Sequence, residues 1–250
     1  ILSNVSLQIS DRFVAITGPN GSGKTKLVNT IIGRYPLLMN EARYDFGEYN
    51  HRMVCENIHY MAFRDSYGDA DSHYYYQQRW HSQDVELSPT VSEVLPLAGE
   101  DEYVKTLYRD FGIDALMDKQ MVMLSSGELR RLQIVKALMT SPRVLIMDNP
   151  FIGLDAPTRD ALKELLSTLT KETQLTIILV LSKYDDIPEF ITHVLPVEGL
   201  ELKAKQTRAE FVELAVFCSA KSIIKGEGFK DVPGTSCTVF YPNDGVSDVQ

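Results

Sequence analysis

Three nearly unbroken apolar runs punctuate the chain, at residues 13–16, 144–147 and 175–181. Each has strand length and little alternation, as expected of a strand buried on both faces of a parallel sheet. Helical periods lie between them. Leu27, Val28, Ile31 and Ile32 recur at helical spacing, and Gly33 stands where that helix can close. Leu129, Leu132, Val135 and Met139 repeat the pattern ahead of Pro142. A further helix is predicted from Pro157, well placed for a first turn, to about Lys171. Strands alternating with helices predict an α/β fold with a parallel core.

Other stretches are less regular. Residues 5–9 alternate apolar and polar, which predicts a half-exposed strand. Residues 52–55, 58–63 and 73–76 are predicted as short strands, and the polar stretch 65–72 with Gly68 as a loop. From 85 to 124 the character changes: short helices are predicted at 92–95 and 102–111, broken at Pro96, Gly99 and Gly112. This divides the chain into an α/β core (1–84 and 125–215), a small helical insertion (85–124) and a tail (216–250) with several Gly and Pro. The tail reads as a linker or as a strand-rich extension.

Composition narrows the class. With 34 acidic against 25 basic side chains the net charge is −9, which argues against a nucleic-acid surface as the main business. Cys55, Cys218 and Cys237 lack metal-site spacing and read as thiols in a reducing compartment. His51, His59, His73, His81 and His193 are scattered without ligand spacing. No apolar run reaches the 18 residues a membrane span requires. The chain opens on Ile1 without a signal-peptide pattern, so the expectation is a piece of a longer protein.

The sharpest chemistry lies at residues 18–25, Gly18-Pro19-Asn20-Gly21-Ser22-Gly23-Lys24-Thr25. The spacing Gly-x4-Gly-Lys-Thr, between a predicted strand and a predicted helix, is that of a phosphate-binding loop. Successive N–H groups turn inward to form an anion site, and the helix N-terminus adds to it. Lys24 would reach the β- and γ-phosphates, and the Thr25 hydroxyl would ligate Mg²⁺. Two further stretches stand in order behind it: Leu124-Ser125-Ser126-Gly127-Glu128, and Asp148 at the end of an apolar run.

With these motifs in this order, residues 1 to about 215 resemble the ATP-binding cassette of ABC proteins. The resemblance implies a P-loop NTPase fold: a parallel-sheet core with an antiparallel β subdomain and a small helical subdomain. It implies ATP and Mg²⁺ as cofactors, and ATPase activity. Residues 124–128 resemble the signature loop, with Ser126 where Gly is commoner. In the family that loop faces the γ-phosphate held by a second cassette; read alone, the same residues form an ordinary helix N-cap. Asp148 resembles the carboxylate that holds Mg²⁺ through water. Gln77 resembles the glutamine that reaches metal and attacking water, with Gln78 as its neighbouring alternative. Gly153-Leu154-Asp155 resembles the loop that carries signals between two ATP sites. The finer likeness is to one half of tandem bacterial ATP-binding proteins of molybdenum transport.

Two positions depart from the family pattern. Asn149 stands where the family has Glu, and a neutral amide holds water but cannot take its proton. Ser182 stands where the family has His, and a serine does not match the reach of an imidazole. Together they imply a site that binds Mg-ATP and cleaves it slowly, unless Lys183, Asp185 or Asp186 substitutes. The resemblance further implies a second cassette and a membrane permease as partners, at the inner face of the cell membrane. The rival readings are a soluble ABC ATPase with a regulatory or repair role, and a catalytically silent ATP-sensing module.

Overall fold

The computed structural model describes residues 9–35, 43–46, 53–63, 88–95 and 101–214. Five parallel strands form its centre: β1 (Phe13–Thr17), β2 (Ile58–Ala62), β3 (Val144–Asp148), β4 (Thr176–Leu181) and β5 (His193–Glu198). Their order is β2-β3-β4-β1-β5. Two short strands, β6 (Glu201–Leu202) and β7 (Gln206–Thr207), pair antiparallel with the outer edge of β5.

Residue alternation along the strands feeds two cores. Ala15, Leu145, Met147, Ile177 and Leu179 face one side and pack with the helices α5 (Ser126–Leu138) and α6 (Ala156–Glu172). Val14, Ile16, Ile146, Ile178 and Val180 face the other and pack against Leu27 and Val28 of α1 (Lys24–Ile31). Burial on both faces is why these strands lack an apolar-polar alternation. Each fully buried Leu, Ile or Val contributes about 1.5–3 kcal/mol.

Residues 54–57 correct the sequence reading. Val54 and Cys55 were expected in a strand at 52–55, but they open a one-turn helix, α2 (Val54–Asn57). Glu56 bonds back to the Met53 amide at 3.1 Å, and the Asn57 side chain donates to the Met53 carbonyl at 3.0 Å. These local bonds offer the backbone a turn that apolar spacing cannot reveal. The expected strand at 73–76 and most of that at 5–9 lie outside the described residues. β5 was not foreseen, because Pro196 interrupts the Val194-Leu195-Val197 run.

Among the described residues the remaining α-helices are α3 (Val91–Val94) and α4 (Glu102–Asp110), followed by 3₁₀ turns at Asp114–Leu116 and Met121–Met123. Asp101 caps α4, its carboxylate accepting from the Tyr103 amide at 2.9 Å. Val104, Leu107 and Tyr108 join the α5/α6 side of the core.

Candidate nucleotide-binding site

Parallel strands place their C-terminal ends on one edge. Thr17 pairs with Leu181, and Asp148 with Val180. The loop after β1, the Asp148-Asn149 pair ending β3 and Ser182 after β4 therefore open together, as ligand sites do in open α/β sheets.

The 18–25 loop is pressed against the sheet. A Cβ added at Gly18 would stand 2.1 Å from the Val197 carbonyl oxygen, so only glycine fits. Gly23, the residue before α1, has φ 106°, a region that favours glycine. The Ser22 carbonyl accepts from the Leu200 amide at 3.0 Å, tying the loop to the turn after β5.

Lys24, only 7% exposed, is folded back across this loop. Its Nζ donates to the carbonyls of Gly18 at 2.6 Å and Pro19 at 2.9 Å. Burial lowers its pKa, and the Asp148 carboxylate pulls the other way. The Ser22 hydroxyl is also buried and finds no hydrogen-bond partner among the described residues. A buried cation, an unmatched hydroxyl and the open N-terminus of α1 together fit a phosphate group. Thr25 lies exposed in the first turn of α1.

A chain of polar contacts runs from this loop across the strand ends. Ser182 Oγ lies 3.1 Å from Asn20 Oδ1 and 3.2 Å from Asn149 Oδ1, its one proton serving either. Asn149 Nδ2 donates to Asp148 Oδ1 at 3.0 Å. The Tyr60 hydroxyl donates to Asp148 Oδ2 at 3.1 Å. The structure thus brings together Asn20, Lys24, Asp148, Asn149 and Ser182. Tyr60, read in the sequence only as a strand residue, joins them. Gln77 lies outside the described residues, as does Gln78. Of the alternatives near Ser182, Asp186 pairs with Arg159 at 3.4 Å and Lys183 is exposed.

Residues 125–128 make their contacts elsewhere. The Glu128 amide donates to Ser125 Oγ at 3.2 Å, and the Ser125 amide donates to Glu128 Oε2 at 2.9 Å, closing a capping box on α5. Lys119 bonds Glu128 Oε1 at 2.8 Å. Burial alone would raise the Glu128 pKa, but Lys119 and the two bonds to Ser125 together bring it below the ordinary value. Gly127 packs so tightly on α6 that an added Cβ would stand 2.4 Å from Thr158 Cγ2. Asp155 immediately precedes α6 and is exposed.

The family model for ABC transporters matches residues 2–152, which include the phosphate loop, residues 125–128 and Asp148. The chain belongs to the ABC transporter family. Cassettes of this family bind ATP and are ATPases. Over 199 residues this ABC cassette is 32% identical to the ABC transporter ATP-binding protein ModF of Escherichia coli, covering 76% of this chain and 37% of ModF. Over 209 residues it is 28% identical to the molybdenum import ATP-binding protein ModC of Haemophilus influenzae, covering 80% of this chain and 55% of ModC. The chain thus spans a minor part of ModF and about half of ModC. In fold it is similar to cbiO1 of Clostridium perfringens, part of the ABC transporter complex cbiONQ, with a TM-score of 0.62 at 24% identity, covering 88% of this chain and 85% of that one. Among the described residues no helix is long and apolar enough to cross a membrane.

Proposed function

We propose that this cassette holds Mg-ATP at a site of low intrinsic turnover and couples ATP-promoted pairing with a second cassette to a membrane permease. The observation that carries this is the Asn20-Ser182-Asn149-Asp148 chain. Where a base or an imidazole would have to face the attacking water, an amide and a hydroxyl bond to each other. Neither accepts a proton near neutral pH, so water is held there without being activated.

In this reading the N–H groups of 18–25 and the Lys24 ammonium bind the β- and γ-phosphates. Lys24 then exchanges its carbonyl partners at Gly18 and Pro19 for phosphate oxygens. Thr25, Asp148 and Gln77 would hold Mg²⁺, which offsets phosphate charge when bound. Asp148 keeps its orientation through Tyr60 and Asn149. The Ser125 to Glu128 turn, with Asp155, faces the triphosphate of the partner cassette. The helical insertion that carries α3 and α4 is the lobe that meets the permease. The likeness to the molybdenum import protein ModC supports molybdate or another small solute as cargo. The cassette works at the cytoplasmic face of the membrane.

Titrating Mg-ATP onto the chain and onto Lys24→Ala tests the binding half. The expected result is a loss of affinity of tenfold or more in the variant, about the worth of one charge-assisted bond to phosphate. Equal affinities would place the nucleotide elsewhere.

A further inference from the structure

The loop joining β3 to α6, residues 149–155, is bent by two left-handed residues, Asn149 at φ 53° and Gly153 at φ 71°. Such a loop needs outside support to keep one shape. Two arginines supply it from different elements. Arg130, on the second turn of α5 and only 7% exposed, donates through Nη2 to the Ile152 carbonyl. Its guanidinium also lies 4.7 Å from the ring centroid of Phe63, whose amide bonds the Asp148 carbonyl at 3.0 Å. Arg159, on α6, donates through Nη2 to the Leu154 carbonyl at 3.2 Å. Its Nη1 pairs with Asp186, four residues beyond Ser182, at 3.4 Å. The close seat of Gly127 on Thr158 brings the start of α5 against the first turn of α6.

We infer that Arg130 and Arg159 form a two-point clamp through which events at Asn149 and Ser182 are passed to the N-terminal turns of α5. The inference rests on the proposed nucleotide site and adds to it the residues that relay its state. Both arginines are positioning residues. Each holds a loop carbonyl, and neither belongs to the phosphate cradle. Arg130 ties the loop to α5 and, through Phe63, to the end of β2. Arg159 ties it to the turn after β4. A shift of Asn149 or Ser182 when phosphate arrives therefore moves the loop as one piece, and Arg130 carries that movement to the residues around Ser125. The Arg130-Phe63 contact strengthens the link, because a desolvated cation over a ring adds to the hydrogen bond.

Hydrogen exchange tests the clamp on the whole chain without a partner. Amide exchange is followed at 126–130 and 150–155, with and without saturating Mg-ATP, in wild type, Arg130→Met and Arg159→Met. The expected resting result is exchange at 150–155 at least tenfold faster in either variant, with β3 and β4 unchanged. With Mg-ATP, the wild type is expected to gain protection in both segments. Arg130→Met is expected to gain it at 150–155 only, while its Mg-ATP affinity stays within twofold. A merely structural role would lower affinity and protection throughout. Wild-type exchange rates at 150–155 in both variants, or ATP-induced protection at 126–130 retained in Arg130→Met, would overturn the clamp. If removing the more buried Arg130 unfolds the chain, Arg159→Met decides through its resting exchange. If the wild type binds no ATP, the nucleotide reading falls, and the resting exchange still decides whether the clamp exists.

Discussion

Asn149 sits in left-handed backbone at φ 53°, a conformation that asparagine tolerates better than most other side chains. The residue that weakens catalysis in this account also suits its turn. Asn149→Glu is therefore expected to lose about 1 kcal/mol of stability, read as a drop in Tm of about 2–4 °C. An unchanged Tm would show that the turn relaxes at no cost. Gly18 is set by space: the Val197 carbonyl leaves no room for a Cβ. Gly18→Ala is expected to lower stability by about 1–3 kcal/mol in denaturant unfolding and to weaken Mg-ATP binding with it. These residues differ in how they could be seen beforehand. Residues 18–25 were legible as a candidate loop from their spacing, and Asp148, Asn149 and Ser182 as candidates because the family resemblance ties them to strand ends. Tyr60 and Lys119 were not, because each meets its partner only once strands pair or a turn closes. Nothing in a run of strand residues marks a hydroxyl that will reach a carboxylate 88 residues further on.

At the scale of elements, the start of α5 is held by the Ser125-Glu128 box and its Lys119 partner. Glu128 has its pKa below the ordinary carboxylate value in the folded chain. A carboxylate depressed on folding stabilises the fold above its unfolded pKa, and that contribution is lost as pH falls through the folded pKa. Stability of the wild type is thus expected to decline faster below about pH 4.5 than that of Glu128→Gln. At neutral pH the variant should be weaker by about 1 kcal/mol, the usual worth of a cap. Parallel acid profiles would remove Glu128 from the stability of α5. Most strands and helices were readable from period and run length, since two buried faces demand continuous apolar strands. β5 escaped because Pro196 breaks its run, and α2 because local side-chain bonds override apolar spacing at Val54 and Cys55.

At the scale of the molecule, the five parallel strands bring to one edge the groups that would hold nucleotide, and the loop from β3 to α6 leads from that edge toward α5. Sequence order supplied the family, because three separated motifs rarely fall in register by accident. It did not supply the contact between Asn149 and Ser182, which requires β3 and β4 to be neighbours. That contact makes the two departures from the family pattern one feature. Asn149→Glu and Ser182→His are accordingly expected to be non-additive in turnover, each alone recovering little because its unaltered neighbour still bonds to it and holds it away from the water.

In the proposed function the site binds ATP and leaves it largely uncleaved. Steady-state ATP hydrolysis, measured side by side on wild type, the Asn149→Glu/Ser182→His double variant and Lys24→Ala under conditions where ATP promotes pairing, tests it most directly. The expected result is a wild-type rate close to that of Lys24→Ala despite firm Mg-ATP binding, and a rise of at least tenfold in the double variant. A wild-type rate far above Lys24→Ala, unchanged by the double substitution, would contradict it and would mean that another residue near Asp148 activates the water.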